Sequence, residues 1–395
     1  MKKLFVVLFS LMLLSFFACG KSSDTLKPGE AVKIGFIGPM TGDAANYGKL
    51  MSQAARIAVD EFNAKGGING FKVELIIEDT EGRVEKGNPA IEKLAGVDKI
   101  IGLIGDVFST VSLAVAPKAE AAKIVMISPS STHKDLPDKG KFIFRDVIND
   151  ALQANVFAKY LANVEKVKTV AILYVKNDYS QAIAKDFWAQ YEKEGGKVVA
   201  AETALQGDKD FKTQLTKIKG TNPEALYIPN YVAEIAQILE QAKQLGINAK
   251  IYSADGFSNP QILELAGNLA NGVIFTQVAE QPASNIRKSF EAKYEKQWGE
   301  KPDAFSLNAY DGTNIILNSI AATSVKVEDN LQIDRDKVRD LVAQTKDYDG
   351  ASGKITFTDN GDLVANIGIY TVENLKYKQI RMFKLEGQDL LEIKK

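Results

Sequence analysis

The sequence predicts an α/β fold in which helices cover both faces of parallel β-sheets. Short apolar stretches of strand length alternate with amphipathic stretches of helix length from residue 32 onward, and some of the strand-length stretches are apolar throughout. Strands that are buried on both faces are hydrophobic throughout, and the alternation of strand and helix is typical of βαβ units. The pattern also repeats in outline, so we expect two doubly wound, Rossmann-like lobes with a central cleft.

The first half of the chain supplies one series of alternating elements. Strands are predicted at residues 32–38, 72–78, 100–104 and 124–127. Helices are predicted at 47–64, near 84–95 and from about 109. Apolar residues at helical spacing support the helices, and the pair Gly66-Gly67 suits a helix C-terminus.

A second series follows Asp150. Its strands are predicted at 169–175, 197–202, 226–228 and 250–253, and its helices end near residues 163 and 194. Further helices are expected at 284–298, 305–322 and 335–345, and strands at 354–358 and 367–371. The acidic stretch 359–362 lacks the spacing of a calcium loop, so we interpret it as the hairpin turn between those last strands.

Two local similarities favour an internal duplication. Residues 62–67 resemble residues 191–196, and the tripeptide at 122–124 resembles the one at 249–251, with similar spacing in both halves. Together they favour two similar lobes, which we expect to comprise residues 31–148 and 279–349 for the first and residues 149–278 and 350–395 for the second.

Composition excludes some classes of function. The chain has 395 residues, 49 of them basic and 50 acidic, so no positive surface for nucleic acid is expected. One Cys cannot close an internal disulfide, and one His cannot build a multi-histidine metal centre. We therefore expect neither a metal nor a cofactor.

Motifs of catalysis are also missing from the sequence. No phosphate loop, dinucleotide fingerprint or nucleophile elbow is present. His133, the only histidine, is interpreted as a polar loop residue, and the adjacent Glu78 and Asp79 as a solvated strand edge. Enzyme function is therefore disfavoured.

The N-terminus predicts export. Residues 1–18 combine two lysines with an apolar run that is too short to span a membrane, which is typical of a signal peptide. Cys19 follows Phe16-Phe17-Ala18, which resembles a lipoprotein cleavage box, although Phe16 stands where such boxes usually carry Leu. We expect lipidation of Cys19 and a flexible tether over residues 19–30; the alternative is that Cys19 is an ordinary residue of the signal peptide.

Polar loops follow the predicted strands, where doubly wound folds bind ligands. In the first lobe these loops are 105–110, where Ser109 is placed to cap the next helix, and 128–132, which is rich in hydroxyls. In the second lobe they are 177–179, 229–231 and 254–256. A helix start with a hydroxyl suits a carboxylate ligand, and Asp255 places a negative charge on the opposite side of the cleft.

These motifs resemble the bacterial periplasmic binding proteins for branched-chain amino acids, a type I periplasmic binding fold. The resemblance extends from Val32 to about Thr371 and is most specific at 38–42, 47–48, 62–70, 109–110, 128–132, 178–179 and 254–256. It implies that Ser109 and Thr132 bind the ligand's α-carboxylate and help to hold its ammonium group, with backbone atoms around Ser130, and that Asp255 pairs with the ammonium. Three aromatic positions of the family that line and close the cleft are matched by Tyr47, Tyr179 and Tyr231.

Two features depart from the family pattern. Phe108 stands at a position where members often carry a cysteine of a disulfide, and Asp255 replaces a longer Glu. Residues 275–283 cannot be aligned well enough to assign the pocket for the ligand's side chain, so the ligand's identity stays open.

The resemblance implies an extracytoplasmic, monomeric lipoprotein that captures a neutral amino acid, with a branched one favoured, and delivers it to the membrane permease of an ABC transporter. One alternative is a sensory or regulatory binding protein of the same fold that recognises an amide or an aromatic acid. An enzyme is the least favoured class.

Overall fold

The computed structural model describes residues 23–394, and the structural statements below concern this part of the chain. Its strands are β1 (Ser23–Leu26), β2 (Val32–Gly38), β3 (Val73–Asp79), β4 (Gly102–Ile104), β5 (Val125–Ser128), β6 (Ile143–Arg145), β7 (Thr169–Val175), β8 (Lys197–Ala204), β9 (Ala225–Tyr227), β10 (Lys250–Ser253), β11 (Ile274–Val278), β12 (Val325–Val327), β13 (Asn330–Asp334), β14 (Tyr348–Asp349), β15 (Lys354–Ile355), β16 (Ile367–Glu373), β17 (Lys376–Glu386) and β18 (Asp389–Glu392).

The helices alternate with these strands. They are α1 (Ala45–Ala64), α2 (Val84–Lys93), α3 (Ser109–Ala121), α4 (Asp150–Lys159), α5 (Asp178–Lys193), α6 (Lys212–Thr221), α7 (Val232–Gln244), α8 (Gln261–Leu265), α9 (Asn285–Trp298), α10 (Ala304–Thr323) and α11 (Arg335–Ala343). Two of them, α2 and α4, continue into single π-helical turns. None of the helices in this part of the chain is long and apolar enough to cross a membrane.

A parallel sheet of five strands, in the order β3-β2-β4-β5-β6, forms the centre of what we call the first lobe. Helices α1–α3 and α9–α11 pack on it or on one another. The strand order reverses between β2 and β4, which creates the crevice where doubly wound sheets bind ligands.

A second sheet has eight strands in the order β18-β17-β16-β11-β10-β9-β7-β8, and with α4–α8 it forms the second lobe. The strands from β8 to β11 are parallel, whereas β16–β18 add an antiparallel extension. Here the order reverses between β7 and β9. The predicted α/β class, with two doubly wound lobes, is confirmed.

The chain passes between the lobes three times: after β6, after β11 and between α11 and β16. A buried ion pair fixes the first of these crossings, since Nε and Nη2 of Arg145 donate to the two carboxylate oxygens of Asp362 over 2.6 and 3.0 Å. The side chain of Arg145 is fully buried, and Asp362 also accepts from Asn149. Removing one partner would leave the other charge buried and unpaired.

Three predictions about the chain need correction. Residues 23–26, expected within a flexible tether, form β1, which pairs antiparallel with β13 and is tied to it by Asp24 and Arg335. The strand predicted at 354–358 is reduced to the two residues of β15, which pair with β14. The predicted hairpin turn does form at 358–362, where Phe357 bridges antiparallel to Leu363, but the later strand β16 pairs with β11 and β17 and not with residues 354–358.

Candidate functional site

The carboxyl ends of the strands beside both order reversals meet at the cleft. The first lobe contributes the start of α3 and the loop after β5. The second lobe contributes the start of α5 and the segments that follow β9 and β10. The cleft is closed, because Nδ2 of Asn46 in the first lobe donates to Oδ1 of Asn259 in the second over 2.9 Å.

The hydroxyl loop of the first lobe is held by one backbone carbonyl. The carbonyl oxygen of Asp106 accepts from the side chains of Ser112, Ser128 and Ser131 over 2.9 to 3.1 Å. The carboxylate of Asp106 accepts from Thr80 and from the Phe108 N–H. Buried hydroxyls with partners rigidify such a loop.

Two hydroxyls of the same region have no partner. Oγ of Ser109 and Oγ1 of Thr132 are buried and make no hydrogen bond in the structure. Ser109 is the first residue of α3, and its side chain does not cap the helix as the sequence suggested, because Phe108 holds the cap position. The nearby Ser130 donates from Oγ to the carbonyl of Val107 over 3.0 Å, so its side chain is already used. Ser109 and Thr132 thus leave two hydroxyls free for a ligand on the first-lobe side of the cleft.

Asp255 lies on the opposite wall, directly after β10. The hydroxyl of Tyr179 donates to its Oδ1 over 2.9 Å and accepts from the N–H of Gly256 over 3.0 Å. Only 2% of Asp255 is exposed. Burial raises the pKa of Asp255 to about 6, although the hydrogen bond from Tyr179 opposes the rise. An ammonium group at this position would replace the lost hydration of the carboxylate.

A second carboxylate, which the sequence analysis missed, belongs to Asp150 at the start of α4. Its backbone N–H donates to the carbonyl of Thr132 over 2.8 Å, yet neither carboxylate oxygen has a partner and the residue is fully buried. Burial, and then the neighbouring charge of Asp255, raises the pKa of Asp150 well above its usual range. The site therefore brings two carboxylates together in a buried place.

Aromatic side chains close the cleft. The hydroxyl of Tyr47 donates across it to the carbonyl of Gly256 over 2.7 Å and accepts from the N–H of Val232 over 3.3 Å. The ring of Tyr231 stacks on Phe108 and on Tyr179, with centroid separations of 4.1 and 5.0 Å. Phe108 comes from the first lobe and Tyr231 from the second, so this stack also joins the lobes.

Asp255 and the aromatic side chains enclose one small cavity, whose lining does not include Ser109, Thr132 or Asp150. Its volume is about 10 Å³, and it is lined by Tyr47, Val107, Ser130, Tyr179, Tyr231, Asp255, Gly256 and Phe305. That is room for about one water molecule, so the aromatic side chains fill most of the closed cleft. Residues 275–278 of β11, left unassigned by the sequence analysis, do not line this cavity.

Three residues of the site were not given a role by the sequence analysis. Asp150 follows β6, and the rule that ligands bind beyond strand ends would have found it if residues 143–145 had been predicted as a strand. Phe108 and Phe305 are apolar residues at helix starts, and nothing in the sequence separates them from the core. His133 lies in a loop, as predicted from the sequence. It is half-buried, and its Nδ1 accepts a hydrogen bond from the Asp135 N–H. Residues 23–394 contain no group of side chains suited to a metal ion.

Two doubly wound lobes that close over buried hydroxyls and carboxylates define a bilobal solute-binding protein. The sequence model described as periplasmic binding protein matches residues 31–376, and the chain belongs to that family. Its members are solute-binding proteins located outside the cytoplasm.

Relatives and solved structures agree with this membership. The chain is 29% identical over 339 residues to the leucine-, isoleucine-, valine-, threonine- and alanine-binding protein of Pseudomonas aeruginosa, which covers 85% of this chain and 87% of the relative. It resembles the leucine-binding protein LivK of Thermotoga maritima with 30% identity and a TM-score of 0.82, over 89% of this chain and 98% of the other. It also resembles the binding protein LivJ of Streptococcus pneumoniae, solved with isoleucine, with 27% identity and a TM-score of 0.81, over 92% of this chain and all of the other.

Proposed function

We propose that this protein captures a neutral α-amino acid between its lobes. The ligand's carboxylate accepts from the hydroxyls of Ser109 and Thr132, and its ammonium group pairs with Asp255. Tyr47, Tyr179 and Tyr231 cover the ligand, and backbone atoms around Ser130 complete the carboxylate side. The observation that carries the proposal is that segments beyond the strand ends at the cleft hold buried polar atoms without hydrogen-bond partners: Ser109 Oγ, Thr132 Oγ1 and both carboxylate oxygens of Asp150.

The charges favour an amine over an anion. Asp150 and Asp255 influence each other and are both buried, so their titrations are coupled. A ligand with an ammonium group relieves this repulsion, whereas an aromatic acid without an amine would bring another carboxylate next to two buried acidic groups. A sensory protein for aromatic acids, the second class considered, is therefore less well supported.

The side chain of the ligand meets Phe108 and Phe305. Branched-chain amino acids are the first candidates, since the relatives include proteins named for leucine, isoleucine and valine. The relative from Pseudomonas aeruginosa is also named for threonine and alanine. Phe305 lines the small cavity, and Phe108 stacks on Tyr231, which lines the same cavity, so both rings limit the size of the ligand's side chain.

The finer organisation follows from the same proposal. The first lobe comprises residues 31–148 and 279–349, and the second comprises residues 149–278 and 350–395, as the two sheets and their helices support. The protein acts as a monomer without cofactor or catalysis and hands its ligand to the permease of an ABC transporter. Residues 1–18 are a signal peptide and Cys19 is lipidated; both lie outside the described residues.

A panel of amino acids tests the ligand class. The mature protein is screened by thermal shift against neutral, acidic, basic and aromatic amino acids and against benzoate, because binding to the folded state raises its apparent stability. Calorimetry then compares the wild type with Asp255→Asn, which keeps the shape of the side chain. We expect stabilisation by neutral amino acids and a loss of about 2 to 5 kcal/mol of binding free energy in the variant. Equal affinity in both proteins would refute the role of Asp255.

Membrane fractionation tests the anchor. The variant Cys19→Ser should bind amino acids normally but leave the membrane fraction, since stable anchoring depends on the acyl chains. If the variant stays with the membrane, lipidation at Cys19 is not the anchor.

A further inference from the structure

A second cavity lies on the hinge side of the cleft and is separate from the amino-acid site. Its volume is about 280 Å³, and we call it the hinge cavity. Ser258 and β11 line it from the second lobe, Asp303 and Leu307 from the first, and Ala279 and Ser352 from two of the crossings between the lobes. Its lining shares no residue with that of the small cavity around Asp255.

One wall of the hinge cavity is aromatic. Phe275 packs against Tyr370 and Tyr377 with centroid separations of 5.6 and 5.2 Å. The hydroxyl of Tyr370 donates to the carbonyl of Val278, and that of Tyr377 donates to the carbonyls of Phe257 and Asn259. Because these hydroxyls are occupied, the wall offers an occupant mainly apolar ring carbon.

The buried negative group of the hinge cavity is Asp303, the N-cap of α10, whereas the other lining carboxylate, Glu280, is about half exposed and lies near Arg287. Its Oδ1 accepts from the backbone N–H and the hydroxyl of Ser306 over 2.7 and 2.6 Å. Its Oδ2 is buried without a hydrogen-bond partner, and only 8% of the residue is exposed. Capping therefore uses one oxygen and leaves a buried carboxylate oxygen unsatisfied, which costs free energy unless a donor reaches it.

The cations of the lining do not satisfy this oxygen. Arg287 donates from Nε to Glu291 over 2.8 Å, and its Nη2 lies 3.8 Å from Glu280. Lys301 lies at the exposed rim, where solvent screens its charge. Burial raises the pKa of Asp303 to about 6, so the carboxylate is still largely ionised at neutral pH.

We propose that the hinge cavity binds a small ammonium ion with an apolar or aromatic body, whose N–H donates to Oδ2 of Asp303. The body packs against Phe275, Tyr370, Tyr377 and Leu307. An occupant of the hinge cavity contacts both lobes and two of the crossings between them. It contacts no residue that lines the small cavity around Asp255.

Phenethylamine is a suitable probe, because it carries a primary ammonium and a phenyl ring but no carboxylate for Ser109 and Thr132. Its binding to the full mature protein is measured by calorimetry, with phenethyl alcohol as an uncharged probe of the same shape. The variant Asp303→Asn keeps an Oδ1 to cap α10 and removes only the charge. The variant Ala304→Leu fills the cavity from the first residue of α10, and the variant Asp255→Asn serves as the matched control in the other site.

We expect phenethylamine to bind the wild type and Asp255→Asn with equal affinity. Its affinity for Asp303→Asn and for Ala304→Leu should be lower by at least about tenfold, the scale of one charge-assisted hydrogen bond. The alcohol should bind the wild type more weakly than the amine by a similar factor. The proposal is overturned if phenethylamine does not bind the wild type, if Asp303→Asn binds it equally well, or if Asp255→Asn abolishes binding. Circular dichroism of each variant verifies the fold, and Ala304→Leu tests the site independently should Asp303→Asn unfold.

Discussion

The hydroxyl of Tyr179 donates to Oδ1 of Asp255 over 2.9 Å, and both residues are nearly inaccessible to solvent. Tyr179 lies in the first turn of α5 and Asp255 directly after β10, so the pair links two separate elements of the second lobe. The hydrogen bond leaves Oδ2 of Asp255 for a donor from the cleft. Tyr179 thus fixes the orientation of the carboxylate to which we assign the ligand's ammonium group.

Removing the hydroxyl of Tyr179 should weaken binding without abolishing it. In Tyr179→Phe the carboxylate of Asp255 loses one hydrogen bond and its fixed orientation, at a cost of about 1 to 3 kcal/mol in the binding free energy of the amino acid. Calorimetry measures this loss. The control is Tyr191→Phe, whose hydroxyl donates to the carbonyl of Val167 away from the cleft. If both variants lower the affinity equally, the effect comes from stability and not from the site.

The unpartnered hydroxyl of Thr132 should matter to the ligand and not to the fold. Thr132→Val keeps the shape of the side chain and removes a buried hydroxyl without a partner, so the free energy of unfolding should be unchanged or slightly higher. Amino-acid affinity should fall by about 1 to 2 kcal/mol if this hydroxyl binds the carboxylate. Ser112→Ala is the opposite case, because Ser112 donates to the Asp106 carbonyl and should lose stability. Urea unfolding and calorimetry on both variants separate the two roles.

The titration of Asp255 predicts how ligand-free stability depends on pH. Its pKa rises from 3.8 to about 6 in the folded state, so the folded protein holds this proton more tightly than the unfolded chain. The stabilisation of the folded state by the proton on Asp255 is fully present below about pH 4 and is lost as the pH rises through about 6. It amounts to about 2 to 3 kcal/mol of the free energy of unfolding. Urea unfolding between these pH values should show this loss in the wild type relative to Asp255→Asn. A difference that does not change with pH would contradict the burial of an ionisable carboxylate here.

Much of the fold was predictable, because its strands are apolar and its helices amphipathic. The strands β2 and β7 match their predicted bounds, and α1 begins only two residues before its predicted start. The antiparallel strand β17 was missed since many of its residues are charged, as in an antiparallel strand with one face towards solvent. Residues 23–26 were expected to be part of a flexible tether because the segment is polar, yet they pair with β13 as a strand.

The candidate site was predictable only where a polar residue follows a strand. Ser109, Thr132, Tyr179 and Asp255 all follow this rule, and each is buried in the structure just beyond the carboxyl end of a strand. Their hydrogen-bond states could not be predicted, because Ser128, Ser131 and Thr132 look alike in the sequence and only the fold decides which hydroxyl reaches the Asp106 carbonyl. The contact of Phe108 with Tyr231 could not be predicted either, because the two residues are far apart in the sequence and only the fold brings their rings together.

Phe108 should set the size of the accepted side chain. Its ring stacks on Tyr231 at 4.1 Å, makes an edge contact with Tyr47 and is 3% exposed, so it occupies space that a larger ligand would need. The variant Phe108→Leu shortens this wall, and we expect the affinity for leucine to rise relative to that for alanine by about 1 kcal/mol, the scale of one buried methylene.

The ratio of the two affinities, measured by calorimetry, is the informative quantity, because the substitution also lowers the stability of the protein as a whole. Phe187→Leu, in the core of the second lobe, controls for that loss, since Phe187 is fully buried among Tyr191, Tyr227 and Phe157 and takes no part in the stack of Phe108, Tyr231 and Tyr179. It should leave the ratio unchanged. The prediction is contradicted if the wild type already prefers leucine to alanine and Phe108→Leu has the same ratio of affinities. That result would show that the side chain of the ligand lies elsewhere. In that case Phe108 would act only in closing the lobes, because its stack with Tyr231 joins the two sides of the cleft in either event.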